Sequence, residues 1–166
     1  MSTPQPRKRA PARRFDSPEQ EAFLSLWRTY DRLRTLEDEL FAGFDLTPQQ
    51  YNALRLLRAA HPDPLPTLVL AERLVSRAPD ITRMLDKLEQ RAPLPLIERT
   101  RPPHDRRTVL VGITESGLAL LDEIAGPLRD CHTRQLGHLP AADLQRLIAL
   151  LKAARQPHEP DGSVWK

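Results

Sequence analysis

Apolar side chains recur at helical spacing along most of the 166-residue chain. The first run follows Ser17 and Pro18, which suit the cap and the first position of a helix, and it ends near Gly43. The apolar face of this predicted helix carries most of the aromatic side chains of the chain, and its members are Phe23, Leu26, Trp27, Tyr30, Leu33, Leu40, Phe41 and Phe44. A small domain seldom covers so long an apolar face, so we expect part of it to contact a second subunit.

Two shorter helices are predicted next. Thr47 and Gln50 have the spacing of a capping box around Pro48, and the prolines that follow His61 must end this helix. Thr67 is expected to cap the next helix, whose inward side chains are Leu70, Ala71, Leu74 and Val75.

A fourth helix is expected to begin at Ser76, with Pro79 tolerated in its first turn. Its apolar stripe, at helical spacing, is Ile81, Met84, Leu85 and Leu88. The opposite side is polar and consists of Ser76, Pro79, Arg83, Asp86 and Gln90, with Thr82 and Lys87 at its flanks. The helix therefore has one face for a core and one polar, partly cationic face for solvent or a partner.

Residues 96–100 and 108–113 predict two antiparallel strands, and the polar, proline-rich residues 101–107 suit the tip of a hairpin. The arginines in or beside this hairpin are Arg99, Arg101, Arg106 and Arg107. Thr114 is expected to cap a fifth helix, which Gly126 and Pro127 should kink or interrupt. Pro140 opens a last helix, in which Leu144, Leu147, Ile148 and Leu151 repeat.

Composition narrows the class without fixing the function. The chain has a net charge of +3, which permits an anionic partner but does not require one. A single cysteine excludes a disulfide within the chain, and no apolar run reaches the length of a membrane span, so we expect a cytoplasmic protein. With 6 glycines and no Gly-rich phosphate loop, we expect no cofactor.

The predicted organisation is one folded domain over residues 17–155 between two polar ends. Residues 1–16 hold five cations among their first fourteen positions and predict a disordered basic arm, which either only solubilises the chain or contacts phosphates. Residues 156–166 predict a flexible tail.

The order of these elements indicates a winged helix-turn-helix, a fold that is mainly α with a small β-hairpin. The second helix of such a pair enters a major groove only if its exposed face is polar and partly cationic, and the hairpin then reaches the flanking backbone or minor groove. Arg83 and the basic hairpin meet this requirement together, although each alone is also typical of an ordinary solvated surface. The pattern therefore favours a protein that binds duplex DNA.

Three segments resemble the multiple-antibiotic-resistance regulator (MarR) family. The strongest match is residues 105–117, DRRTVLVGITESG, which follow the family's wing pattern. Residues 81–91, ITRMLDKLEQR, are similar to its recognition helix, and residues 46–51, LTPQQY, resemble the start of its second helix.

The resemblance implies a homodimer, with N- and C-terminal dimerisation helices, that places two recognition helices in successive major grooves of a pseudo-palindrome. Asp105 and Arg107 match the wing motif of the family, and Thr82 and Arg83 match its groove-facing positions. The full set of candidate DNA-binding residues is Ser76, Arg77, Pro79, Thr82, Arg83, Lys87, Arg101, Asp105, Arg106 and Arg107. Asp105 would hold an arginine in place, and Arg106 or Arg107 would face DNA. Residues 91–96 depart from the family, because they lack its usual glycine and form a longer turn, which leaves the pitch of the wing open.

A small aromatic ligand is also implied, commonly between the dimer region and the DNA-binding lobe, where it weakens DNA binding. Trp27, Tyr30, Arg55 and His61 are the candidates for its pocket, although Trp27 and Tyr30 suit core or dimer contacts equally well.

Two further pairs suggest chemistry but lack partners for it. Cys131 and His132 are too few for a metal site, so a small residue on a helix face is the simpler interpretation. His104 and Asp105 suggest a dyad, but no serine or cysteine nucleophile is placed to use it.

We therefore expect a transcriptional regulator that acts as a repressor, not an enzyme. The alternatives are a winged-helix module that binds a protein or a small molecule without specific DNA binding.

Overall fold

The computed structural model describes residues 15–75 and 80–159. The chain divides into two compact units, Met1–Thr35 and Leu36–Lys166. The predicted contacts Ser76, Arg77 and Pro79 lie outside the described residues, as do most of the predicted arm and tail.

The elements follow in the order α1 (Pro18–Ala42), α2 (Pro48–Ala60), β1 (Leu65–Pro66), α3 (Thr67–Arg73), α4 (Ile81–Glu89), β2 (Ile97–Thr100), β3 (Leu110–Ile113), α5 (Glu115–Leu136) and α6 (Ala141–Arg155), with a 3-10 turn at Gln156–His158. This order confirms the predicted winged helix-turn-helix, mainly α with a small β element. No helix in the described ranges is both long enough and apolar enough to span a membrane.

Three predicted helix starts are confirmed by their cap hydrogen bonds. Ser17 Oγ accepts from the Gln20 amide at 3.1 Å. Thr47 and Gln50 form the complete capping box, with bonds of 3.2 and 2.8 Å. Thr114 Oγ1 accepts from the Gly117 amide at 3.1 Å. Each cap satisfies amides that a helix start would otherwise leave unpaired.

Two predicted caps were wrong. Thr67 lies inside α3, after Pro66, because its hydroxyl and its amide both donate to the Val109 carbonyl, at 3.1 and 3.0 Å. The helix expected to start at Ser76 instead starts at Ile81, where Asp80 accepts from the Arg83 amide at 2.9 Å.

One expected core residue was also wrong. Val75 was predicted to point inward with its neighbours in α3, but its side chain is 67% exposed. The reason is that α3 ends at Arg73, so the helical periodicity that would turn Val75 inward no longer applies.

The sheet has three strands in the order β1–β3–β2, all antiparallel, rather than the two strands of the predicted hairpin. The two residues of β1 pair with β3, Leu65 opposite Val111 and Pro66 opposite Leu110. Sequence patterns missed β1 because it is very short and lies among prolines. Pro66 is tolerated there because β1 is an edge strand.

The helix α5 runs from Glu115 to Leu136 without the interruption at Gly126 and Pro127 that was expected as one alternative to a kink. A residue with a Cβ before proline is disfavoured in the helical region, and Gly126 has none. The sequence that suggested a break therefore also contains the residue that lets the helix continue.

The core of Leu36–Lys166 lies between α2, α3, α4, α5 and the sheet. Its largest fully buried side chains include Leu54, Leu57, Leu70, Leu85, Leu88, Ile97, Val111, Leu121 and Ile124. By contrast, α6 contributes no buried residue, although ten of its fifteen residues are apolar. The predicted repeat of Leu144, Leu147, Ile148 and Leu151 is therefore present but not buried within the described chain.

The close approach of β2, β3 and α5 at Gly117 makes this glycine sensitive to substitution. A Cβ there would lie 2.3 Å from the Leu96 carbonyl oxygen and 2.7 Å from Ile113 Cγ1. We predict that Gly117→Ala lowers the free energy of unfolding by about 1–3 kcal/mol, measured by urea denaturation. Gly112→Ala is the matched control, because its nearest contact is an ordinary 3.6 Å to Glu98, and it should be nearly neutral. Equal losses of stability in both variants would contradict this account.

Candidate nucleic-acid interface

The helix α4 separates its buried and exposed faces as the sequence pattern predicted. Leu85 and Leu88 are buried, whereas Thr82, Arg83 and Lys87 are exposed. Arg83 and Lys87 are four residues apart, so they lie on the same side of the helix. In the described ranges, no carboxylate lies within ion-pair distance of either cation.

A cleft of about 480 Å³ runs between the start of α2 and this cationic side of α4. It is lined by Thr47, Gln49, Gln50, Asp80, Arg83, Met84 and Lys87. The start of α2 is therefore adjacent to the predicted recognition surface. The spacing of residues in the sequence did not predict this proximity.

The tip of the β2–β3 hairpin is organised by Asp105. Its carboxylate accepts from the Thr108 hydroxyl at 2.5 Å and from the Arg107 amide at 3.0 Å. These bonds, that of Thr108 first, lower the pKa of Asp105 below its usual value. The Asp105 carboxylate thus binds the main chain of Arg107, and the Arg107 side chain stays exposed.

The predicted basic residues of the tip are all exposed. Arg101, Arg106 and Arg107 lie at the surface, and Arg101 Nη1 reaches the Arg106 carbonyl at 3.5 Å. This contact joins the two sides of the tip. The wing therefore presents three guanidinium groups to solvent.

Arg99, which the sequence grouped with these basic residues, has a different position. Its Nε donates to Glu89 Oε2 at 2.9 Å, and its Nη2 donates to Glu89 Oε2 and to Asp86 Oδ1, the latter at 2.6 Å. The bond to Glu89 is the main cause that raises the pKa of Arg99 above its usual value. Sequence analysis missed this ion pair, because nothing in the spacing places an arginine of β2 against the acids of α4.

The long turn between α4 and β2 is held, at its end next to β2, by contacts with two other elements. The Leu96 amide donates to the Leu88 carbonyl at 3.0 Å, next to the end of α4. Thr114 Oγ1 donates to the Pro95 carbonyl at 2.7 Å, and the Thr114 amide donates to the Leu96 carbonyl at 3.1 Å. The start of the wing is therefore fixed to α4 and to the start of α5 without the glycine that the resemblance led us to expect.

The four candidate ligand residues occur in two different units. Trp27 and Tyr30 are exposed side chains of Met1–Thr35. Arg55, which donates to Asn52 Oδ1 at 3.1 Å, and His61 belong to Leu36–Lys166. Their grouping into one pocket stays a prediction. Within Leu36–Lys166, a separate cleft of about 440 Å³ is lined by Tyr51, Ala125, Leu128, Arg129, His132, Thr133, Leu136, Gly137 and Leu144.

Cys131 and His132 differ in exposure, since Cys131 is buried and the His132 side chain is exposed. Cys131 is buried in α5, and burial raises the pKa of its thiol, which disfavours the thiolate that a reactive cysteine needs. His132 Nε2 lies 3.3 Å from Glu37 Oε1. Among the described residues, no cluster of three potential metal ligands occurs. His104 of the suggested dyad lies exposed at the wing tip.

Comparison with known proteins gives a consistent result. Residues 46–109 match the sequence model of the MarR family. The chain is 30% identical to the HTH-type transcriptional repressor NicR of Pseudomonas putida, and the match covers 83% of this chain and 84% of that protein.

Two solved structures are similar over nearly their whole length. The MarR transcription factor of Planctomyces limnophilus is 53% identical, with a TM-score of 0.66 over 84% of this chain and 99% of that chain. A mutant of MarR from E. coli, complexed with operator DNA, is 26% identical, with a TM-score of 0.71 over 81% of this chain and 93% of that chain.

Proposed function

The chain belongs to the MarR family of transcriptional regulators, and from this we propose that it binds duplex DNA through α4 and the β2–β3 hairpin. The observation that carries the proposal is the exposure of Arg83 and Lys87 on α4, opposite its buried leucines. The operator-bound relative from E. coli supports it, because it has the same fold and binds DNA.

In this proposal, α4 reads the major groove. Arginine can bind guanine O6 and N7 with two hydrogen bonds, each good bidentate pair discriminating by about 1–3 kcal/mol. Arg83 is the residue to which we assign this contact, with Thr82 and Lys87 beside it. Ser76, Arg77 and Pro79, which lie outside the described residues, also belong to the proposed set.

The wing supplies affinity rather than sequence choice. Arg101, Arg106 and Arg107 are exposed and held on a tip that Asp105 organises. Contacts from such cations to phosphates release counterions, so they strengthen binding to every duplex and make it depend on salt.

We further propose that the chain acts as a homodimer. In Met1–Thr35, the side chains of Phe23, Leu26, Trp27 and Tyr30 form an exposed apolar surface on α1. In Leu36–Lys166, α6 exposes Ile148, Leu150 and Leu151. A second copy would cover such surfaces and would bring two recognition helices to half-sites roughly 34 Å apart on a pseudo-palindrome.

Repression released by a small aromatic ligand is the mode of regulation we propose. The relative from Pseudomonas putida is named a repressor. In this proposal, the candidates for contacts with the ligand are Trp27 and Tyr30 of Met1–Thr35 and Arg55 and His61 of Leu36–Lys166. It would release DNA only if it binds the dimer shape with misplaced recognition helices more tightly than the DNA-binding shape.

The assignment of Arg83 predicts a selective loss of affinity. After selection of a preferred site from random duplexes, Arg83→Ala should weaken binding to that site about 10- to 100-fold while changing nonspecific binding little. Fluorescence anisotropy titrations on both duplexes measure this. Arg146→Ala on α6 is the matched control for removal of one exposed arginine and should leave both affinities unchanged. Equal weakening on both duplexes would remove Arg83 from base recognition.

The assignment of the wing predicts a change in salt dependence. Arg106→Ala combined with Arg107→Ala should weaken binding to all duplexes and reduce the slope of log K against log salt by about 0.9 for each phosphate that the wing no longer neutralises. Titrations at several salt concentrations give this slope. Arg129→Ala with Arg146→Ala removes the same charge elsewhere and should keep it. A wild-type slope in the wing variant would exclude the tip from the interface.

The dimer proposal predicts that a charge on the apolar surface of α1 separates the subunits. Trp27 is 62% exposed within one chain, so Trp27→Asp should leave the fold intact but weaken dimerisation at least tenfold, because a buried carboxylate is costly. Analytical ultracentrifugation over a concentration series measures this. Thr29→Asp places the same charge outside the apolar positions and should dimerise normally. A Trp27→Asp protein that stays dimeric at all concentrations would contradict the assignment.

A further inference from the structure

The outer side of α4 carries two acids that one arginine of the wing binds together. Arg99 reaches Glu89 through Nε and Nη2 and reaches Asp86 through Nη2. These bonds to two acids form the Arg99 fork, and the Arg99 side chain is only 23% exposed. This contact connects the predicted recognition helix directly to the first strand of the hairpin.

The position of Arg99 in the sheet transmits this contact to the whole hairpin. Arg99 lies opposite Val111 in the β2–β3 register, and Val111 is a buried residue of the central strand. Near the base of β2, the Leu96 amide binds the Leu88 carbonyl. The hairpin is therefore tied to α4 at two points, directly before β2 through the main chain of Leu96 and within β2 through the side chain of Arg99.

The same contact engages both acids of α4. Asp86 lies three residues after Arg83 and directly before Lys87, so a free Asp86 carboxylate would be within reach of pairing with Arg83. In the structure, the Asp86 carboxylate instead pairs with Arg99 on the hairpin side of α4. Glu89 is held in the same way.

We propose that Arg99 is a positioning residue that sets the orientation of the wing relative to α4, so that both meet one duplex in a single register. This inference rests on the proposed function. Arg99 itself makes no contact with DNA in this account. A planar guanidinium is required because it donates to two carboxylates in a fixed geometry, which the single ammonium group of lysine does not reproduce.

The test compares Arg99→Lys, which keeps the charge and removes the fork, with the wild-type protein. On the selected site, Arg99→Lys should bind about tenfold more weakly, with unchanged affinity for a nonspecific duplex. In hydroxyl-radical footprinting, the Arg99→Lys protein should still protect the nucleotides that α4 contacts. It should no longer protect the flanking nucleotides that the wing contacts in the wild-type complex. Arg58→Lys is the matched control, because Arg58 forms a two-residue ion pair with Asp122 at 3.4 Å between α2 and α5. It should bind like wild type.

A second variant separates positioning from charge. Arg99→Gln combined with Asp86→Asn and Glu89→Gln removes all three charges, so it is less negative than wild type at this point. If Arg99 acts through orientation, this variant should still bind the selected site more weakly than wild type. Binding at or above the wild-type level would mean that Arg99 only cancels the acids and would overturn the proposal.

Two outcomes distinguish the inference from the function on which it rests. A wild-type protein that prefers no duplex would refute the proposed function itself. A wild-type protein with a clear preferred site, together with an Arg99→Lys protein that gives the same affinity and footprint, would refute only the role of Arg99. Thermal melting and sedimentation of each variant show whether it is folded and dimeric, and weaker binding to both duplexes in proportion to unfolding would indicate a merely structural role.

Discussion

The burial of one side of α4 determines what the rest of the molecule can present to a partner. Leu85 and Leu88 pack into the core with residues of α2, α3 and the sheet. Because these side chains lie three residues apart on one face of a helix, their burial fixes the rotation of α4 about its own axis. Thr82, Arg83 and Lys87 are then exposed as a geometric consequence. The placement of this polar, cationic face is thus a consequence of core packing.

The hairpin depends on the same helix. The long turn returns to α4 through the Leu96 amide, and the Arg99 fork closes the gap between β2 and the acids of α4. Partly exposed ion pairs contribute little to the free energy of unfolding, so the proposed role of the Arg99 fork is to orient the wing rather than to stabilise the fold. Specific DNA binding by two elements requires that both fit at once, because a wing at the wrong angle would bind the duplex only at the expense of the bonds made by the helix.

The apolar surfaces that the described chain leaves uncovered are as informative as its core. Phe23 and Trp27 contact each other edge to face on α1 yet are exposed, and α6 contributes no buried residue. Exposed apolar patches of this kind on a folded chain indicate contact surfaces. For a regulator that reads two half-sites, dimerisation through such surfaces sets the spacing of the recognition helices, so anything that alters the dimer also alters DNA binding.

The sequence by itself determined the order of the helices, the capping box of Thr47, the cap of Thr114, the buried stripe of α4 and the basic hairpin. These features follow from local rules, namely side-chain periodicity and hydrogen bonds between residues three or four apart. Tertiary structure alone decided the edge strand at Leu65 and the pairing of Arg99 with Asp86 and Glu89. The contact of Arg99 joins residues 10 and 13 positions apart on two different elements, and that of Leu65 with Val111 spans more of the chain still. Such contacts depend on how elements pack, and no local spacing in the chain encodes the distance between two packed surfaces.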